Sequence, residues 1–117
     1  MTEALLSGTP TVKTERIGPV GRIRLDRPAK LNAVDLEMAE GIARVLDAWR
    51  ENPEVTLLLL DSTSARAFCS GGDLRALSDL IREDGPEAGV RKITRVYRVM
   101  RQIAAYPKTI VSLLDGI

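Results

Sequence analysis

Polar and apolar positions alternate from Val12 to Ile17 and again from Arg22 to Leu25. A period of two sends successive side chains to opposite faces, so both runs read as half-buried strands. Between them, Gly18-Pro19-Val20-Gly21 carries turn chemistry, because Gly admits positive φ and Pro presets φ. The two runs therefore predict a hairpin. Asp26 to Ala33 reads as a loop, in which Pro28 disfavours helix through Arg27. The period then changes. Leu36, Ala39, Ile42, Ala43, Leu46 and Trp49 share one helical face, with Asp35 as the N-cap and Asn52-Pro53 as the stop after about Arg50. Val55 to Leu60 is a largely apolar run, which predicts a strand covered on both faces, as in a parallel sheet.

A loop from Asp61 to Gly72 precedes a short helix from Asp73 to about Arg82. Glu83-Asp84-Gly85-Pro86 breaks the pattern, and a longer helix is predicted from about Glu87 to Ala105. Its stripe of Val90, Ile93, Tyr97, Met100 and Ala104 is the expected core face. After Pro107, Thr109 to Leu114 reads as a second buried strand. Strands alternating with helices predict an α/β domain with parallel pairs. Residues 1–10 are expected to be a flexible tail and 11–117 the folded part. A sheet apolar on both faces needs helices on both sides, and the helices are few. The final Asp115-Gly116-Ile117 reads as the opening of a loop, so the expectation is an N-terminal piece of a longer domain.

Composition narrows the chemistry. The chain has 117 residues, 17 basic and 16 acidic, and a net charge of +1, which disfavours nucleic acid or an anionic membrane as partner. It contains no histidine, which removes Ser-His-Asp and Cys-His arrangements and His-based zinc sites. One cysteine, Cys69, excludes an internal disulfide and any metal site built on a Cys cluster. With no activating histidine it reads as a small buried thiol. The start of the chain has no apolar signal core, and a reducing, cytoplasmic setting is expected. The remaining catalytic vocabulary is carboxylates, hydroxyls and backbone amides.

Ala67-Phe68-Cys69-Ser70-Gly71-Gly72-Asp73-Leu74 lies between a predicted strand and a predicted helix start. Paired glycines allow close approach of a ligand to the backbone, and amides at a helix start carry partial positive charge. Such a turn can hold an oxyanion; it can also be a tight turn capped by Asp73. Arg91, Arg95 and Arg98 share a helix face that reads as solvated, with binding of an acidic partner as the other use.

The string FCSGGDLRAL resembles the signature of the crotonase, or enoyl-CoA hydratase/isomerase, superfamily. Gly21 to Pro28 with Lys30-Leu31-Asn32-Ala33, Trp49 to Val55, Tyr106-Pro107-Lys108 and Asp115-Gly116-Ile117 are similar to other segments of that family, in the same order. The resemblance covers about residues 12–117, with Thr109 standing where a proline is usual. Its details are closest to the 3-hydroxyisobutyryl-CoA hydrolase branch of valine catabolism.

The resemblance implies a spiral of repeated β-β-α units, of which this chain would hold the N-terminal portion. It implies an acyl-CoA substrate, no separate cofactor, no metal and a trimer-based homo-oligomer at full length. The Gly72 N–H would be the first half of an oxyanion hole. Lys30, Leu31, Ala33, Ser70, Gly71, Asp73 and Leu74 would contact coenzyme A. The second oxyanion donor and the catalytic carboxylates are expected beyond Ile117, so the chain alone is expected to be inactive. The expected reaction is thioester hydrolysis. Hydration or isomerisation on the same fold, and a non-catalytic module using the basic helix, are the other readings.

Overall fold

The hairpin forms where the alternation places it. In the computed structural model, which describes residues 6–117, β1 (Val12–Ile17) and β2 (Val20–Leu25) pair antiparallel, with Val12 opposite Leu25. β3 (Leu57–Ser62) runs parallel to β2, and β4 (Thr109–Ser112) runs parallel to β3, giving one sheet in the order β1-β2-β3-β4. Helix α1 (Leu36–Arg50) links β2 to β3, completing one β-β-α unit. Helices α2 (Leu74–Asp84) and α3 (Pro86–Ala104) link β3 to β4.

The register puts Val12, Ile23, Leu25, Leu58 and Leu60 on one face of the sheet. They meet Met38, Ile42, Val45, Leu46 and Trp49 of α1 in a single buried cluster. Gly21 decides how closely α1 approaches. A Cβ there would lie 2.6 Å from two ring carbons of Trp49, so the indole rests directly on the β2 backbone.

The opposite face corrects one expectation. β3 is not apolar on both sides. Asp61 falls on the outer face with Arg22, Arg24, Glu15 and Lys13, where Arg22 Nη2 sits 2.7 Å from Asp61 Oδ2. Arg22 also pairs with Glu15 at 3.0 Å. Leu57 and Leu59 share that face and are only half-buried. The strand also runs two residues past the expected end at Leu60. Asp61 and Ser62 continue the ladder opposite Arg24 and Leu25, and the ion pairs offset the burial of Asp61.

Two further expectations change. The loose tail does not extend to Pro10. Ser7 and Thr9 are buried; Ser7 Oγ lies 2.6 Å from the Val12 carbonyl oxygen, and Arg44 Nε donates to the Ser7 carbonyl at 2.6 Å. Residues 1–5 of the expected tail lie outside the described residues. On α3 the expected core stripe faces outward: Val90 and Tyr97 are 65% and 67% exposed. The buried positions are Ala88, Gly89 and Val99, with Val96 and Ile103 partly covered. A helical period identifies faces, but the neighbours choose among them, and α3 packs on α1 and α2 by the adjacent stripe.

The Tyr106-Pro107-Lys108 segment anchors β4 to the end of α1. The Tyr106 hydroxyl donates to the Leu46 carbonyl at 2.6 Å, and burial pushes its pKa up to about 12. The Lys108 ammonium donates to the carbonyls of Trp49 and Asn52, placing a cation at the negative end of the helix dipole. No helix among the described residues is long and apolar enough to cross a membrane.

Candidate functional site

Two loops leave the same end of the sheet and run side by side. After β2 the chain makes one 3₁₀ turn, Pro28–Lys30, and then takes two left-handed residues, Leu31 and Asn32, at φ 51° and 56°. Left-handed backbone is tolerated by Asn but unusual for Leu. Hydrogen bonds hold the conformation in place. Asn32 is fully buried, its Oδ1 accepts from the Arg27 amide at 2.7 Å, and its Nδ2 faces Ser62 Oγ at 2.7 Å and the Phe68 carbonyl at 3.0 Å. One amide side chain thus ties the loop after β2 to the loop after β3.

The backbones of those loops then zip together. The Ser70 amide donates to the Leu31 carbonyl at 3.0 Å, the Val34 amide to Gly71 at 2.8 Å, and the Asp73 amide to Val34 at 2.9 Å. This short parallel ladder consumes the amides on both sides of the Gly-Gly pair. The Gly72 N–H has no partner among the described residues, and Gly72 itself is exposed. The two glycines are present for different reasons. Gly71 sits at φ 111°, which a side chain would strain. Gly72 has no positive φ, and a Cβ there would meet nothing within 4 Å. The fold does not require glycine at position 72, and the approach to its amide is open.

Arg27 fixes this turn electrostatically. Its Nη1 donates to Asp73 Oδ2 at 2.7 Å and to the Ala33 carbonyl at 2.8 Å, and its Nη2 lies 3.7 Å from Asp35 Oδ2. Asp35 and Asp73 are the N-caps of α1 and α2: Oδ1 of each accepts a backbone amide at 2.9 Å, from Met38 and from Ala76. A single guanidinium therefore bridges two helix caps. The Ala76 amide, followed by Arg27, holds the Asp73 carboxyl below its ordinary range against the cost of burial. Asp73 is committed to capping and is not poised to act as a base.

The expected site residues divide accordingly. Leu31, Ala33, Ser70, Gly71, Gly72 and Asp73 are brought together by the ladder. Leu74 stands 76% exposed at its edge, and Lys30 is exposed on the 3₁₀ turn. Sequence reasoning did not single out Asn32 or Arg27. A buried amide at a left-handed position, and an Arg preceding Pro ahead of two capping acids, are the signals that mark them. Cys69 is half-buried rather than buried, with Sγ 4.0 Å from the Gly71 carbonyl oxygen. On the basic helix, Arg95 pairs with Glu40 at 2.8 Å.

The Asp115-Gly116-Ile117 segment also reaches this end of the sheet. The Ile117 carbonyl accepts from the Phe68 and Cys69 amides at 2.6 and 3.1 Å, and its amide donates to Arg66 at 3.1 Å. Beside Gly72, a cleft of about 190 Å³ opens between α2 and α3, walled by Val34, Leu77, Ile93, Val96 and Tyr97.

A strand-to-helix turn with a free amide, beside an apolar cleft on an α/β sheet, defines a domain of the crotonase type. The chain belongs to the enoyl-CoA hydratase/isomerase family, whose model matches residues 20–117. Among curated proteins it is 36% identical over 109 residues to the mitochondrial 3-hydroxyisobutyryl-CoA hydrolase of Rattus norvegicus, which covers 93% of this chain and 28% of that protein. Among solved structures, an enoyl-CoA hydratase from Rhodobacter sphaeroides matches with a TM-score of 0.83 and 39% identity, over 91% of this chain and 32% of that one. A carnitinyl-CoA dehydratase from Mycobacterium thermoresistibile matches with a TM-score of 0.85 and 35% identity, over 93% of this chain and 32% of that one. The chain thus spans about a quarter to a third of the length of these relatives.

Proposed function

We propose that this chain is the thioester-binding part of an acyl-CoA hydrolase of the 3-hydroxyisobutyryl-CoA type. The observation that carries the reading is the Gly72 amide: unpartnered among the described residues, exposed, and in a position where the fold itself would admit a side chain. A thioester carbonyl oxygen gains negative charge when water attacks its carbon, and an amide already aimed at that oxygen stabilises the charge without reorganising. Water adds to the carbonyl carbon, the carbon–sulfur bond breaks, and the sulfur leaves as the coenzyme A thiol after taking a proton. In this reading Gly72 supplies one of the hole's donors. Lys30, Leu31, Ala33, Ser70 and Leu74 line the path of the coenzyme A arm, and Gly71 and Asp73 hold the turn. Asp73 does not serve the proton transfer in this reading, because it is spent on its cap and on Arg27.

Titrating the chain with an acyl-CoA carrying a ¹³C-labelled thioester carbonyl tests the site. The carbonyl resonance is expected to move downfield on binding. Gly72→Ala should keep the thermal midpoint and lose both the shift and at least tenfold in affinity, a loss of about 1.4 kcal/mol. An unshifted carbonyl resonance in the wild type would overturn the role of the amide, and equal binding by Gly72→Ala would overturn the close approach of the ligand to it. A second reading, hydration or isomerisation of an enoyl-CoA, is favoured by the solved relatives, whose names are those of a hydratase and a dehydratase. The longest natural form of the protein separates the two. Free thiol released from a 3-hydroxyacyl-CoA marks the hydrolase; loss of enoyl-thioester absorbance without thiol release marks the hydratase.

A further inference from the structure

The cleft beside Gly72 has apolar walls, Val34, Leu77, Ile93 and Val96, and two charged side chains in its lining: Asp73, and Lys92, one turn before Val96 on α3. Lys92 is half-buried and has no hydrogen-bond or ion-pair partner among the described residues. Nearby cations are engaged elsewhere: Arg27 with Asp73, and Arg95 with Glu40. Lys92 lines the same cleft as the Gly72–Asp73 turn. Asp73 is already held by the Ala76 amide and the Arg27 guanidinium and makes no ion pair with Lys92.

The cleft therefore offers two donors with no hydrogen-bond partner among the described residues, the Gly72 amide and the Lys92 ammonium. Its size suits a short acyl group: about 190 Å³ corresponds to roughly six water-sized units. A wholly hydrocarbon acyl chain would satisfy the walls and leave a half-buried ammonium stripped of part of its water, which is unfavourable.

Building on the thioester-binding reading above, we infer that Lys92 selects short acyl-CoA substrates whose acyl group carries an oxygen acceptor beyond the α carbon. With the thioester oxygen on Gly72, that second oxygen accepts from Lys92. Tyr97, 67% exposed one turn and a residue further along α3, walls the same side and narrows the path for longer chains. A hydroxyl and a carboxylate share this acceptor chemistry, and the experiment distinguishes them.

The test uses three non-hydrolysable ketone analogues of acyl-CoA, in which a methylene replaces the thioester sulfur and the carbonyl is kept, titrated calorimetrically into the full chain: isobutyryl, 3-hydroxyisobutyryl and methylmalonyl. The oxygen-bearing analogues are expected to bind about tenfold more tightly than isobutyryl, the size of one charge-assisted hydrogen bond. Lys92→Met should erase that preference and bind isobutyryl more tightly than the wild type does, and Lys92→Arg should restore the preference. A preference confined to methylmalonyl that fades in high salt assigns a carboxylate partner; one shared by the hydroxyl analogue and resistant to salt assigns the hydroxyl. Equal binding of all three by the wild type, or a preference that survives in Lys92→Met, overturns the role of Lys92 while leaving the thioester site standing. If no analogue binds the wild type, both readings fall. The half-exposed position on a helix surface leaves the fold of either variant intact, which the thermal midpoint checks.

Discussion

Replacing Arg27 with Met should unfasten the Gly72 turn from the rest of the molecule. The side chains of Arg27 and Asp73 are only 21% and 10% exposed, so their 2.7 Å pair is far from a surface ion pair. Breaking a fully buried pair by removing one partner costs about 3–5 kcal/mol, and exposed pairs are worth about 0–1 kcal/mol. Here Asp73 keeps its bond from the Ala76 amide, while the Ala33 carbonyl loses its donor. The intermediate exposure and the retained cap place the cost of Arg27→Met at about 2 kcal/mol. Asp73→Asn in the same background should recover roughly half of that, because it removes the charge left unpaired. Urea unfolding followed by the fluorescence of Trp49, the one tryptophan and a fully buried one, reads all three variants. Arg82→Met is the internal control: its pair with Asp79 is 75% and 52% exposed, and the change should be under about 0.5 kcal/mol. If Arg27→Met costs no more than Arg82→Met, the bridge between the two helix caps is not holding the turn, and the argument fails.

Other outcomes follow from the same contacts. Gly116→Ala should destabilise by about 2 kcal/mol or more, since a Cβ there would sit 2.2 Å from the Arg66 carbonyl oxygen at a φ of 75°; amide exchange at Phe68 and Cys69 should accelerate with it. Gly21→Ala should cost about 1–3 kcal/mol by displacing the Trp49 ring, and a changed tryptophan emission maximum would report it. Lys108→Met should lower stability by about 1 kcal/mol and loosen the end of α1, because the carbonyls of Trp49 and Asn52 lose their cation. Asp73 and Asp26 both titrate below the ordinary aspartate value of 3.8 in the folded chain, Asp73 through the Ala76 amide and Asp26 through the Thr63 hydroxyl. Their stabilisation is complete above pH 3.8 and drains away as the pH falls through the lower folded values. The thermal midpoint should therefore drop from pH 5 to pH 3, and less steeply in Asp73→Asn.

Much of this molecule is legible in the order of its residues, because the relevant forces are local. Alternation and Gly-Pro fix the β1–β2 hairpin, Asp35 and Asp73 cap the helices they precede, and Pro53 and Pro107 end what comes before them. The Gly-Gly-Asp turn is likewise visible, since only a few residue types permit that backbone. Contacts between distant segments are a different matter. Nothing local distinguishes the outward stripe of α3 from the inward one; packing against α1 and α2 chose Val99 and Val96 over Val90 and Tyr97. Nothing local shows that Asp61 is buried on a charged sheet face, because its partners Arg22 and Arg24 lie on a neighbouring strand, 39 and 37 residues earlier in the chain. The free amide of Gly72 belongs to the tertiary structure as well. The sequence determined that a glycine turn stands at a helix start. Only the ladder between the two loops, held by Asn32 and Arg27, decided that the amides of Ser70 and Asp73 are consumed and that of Gly72 is not.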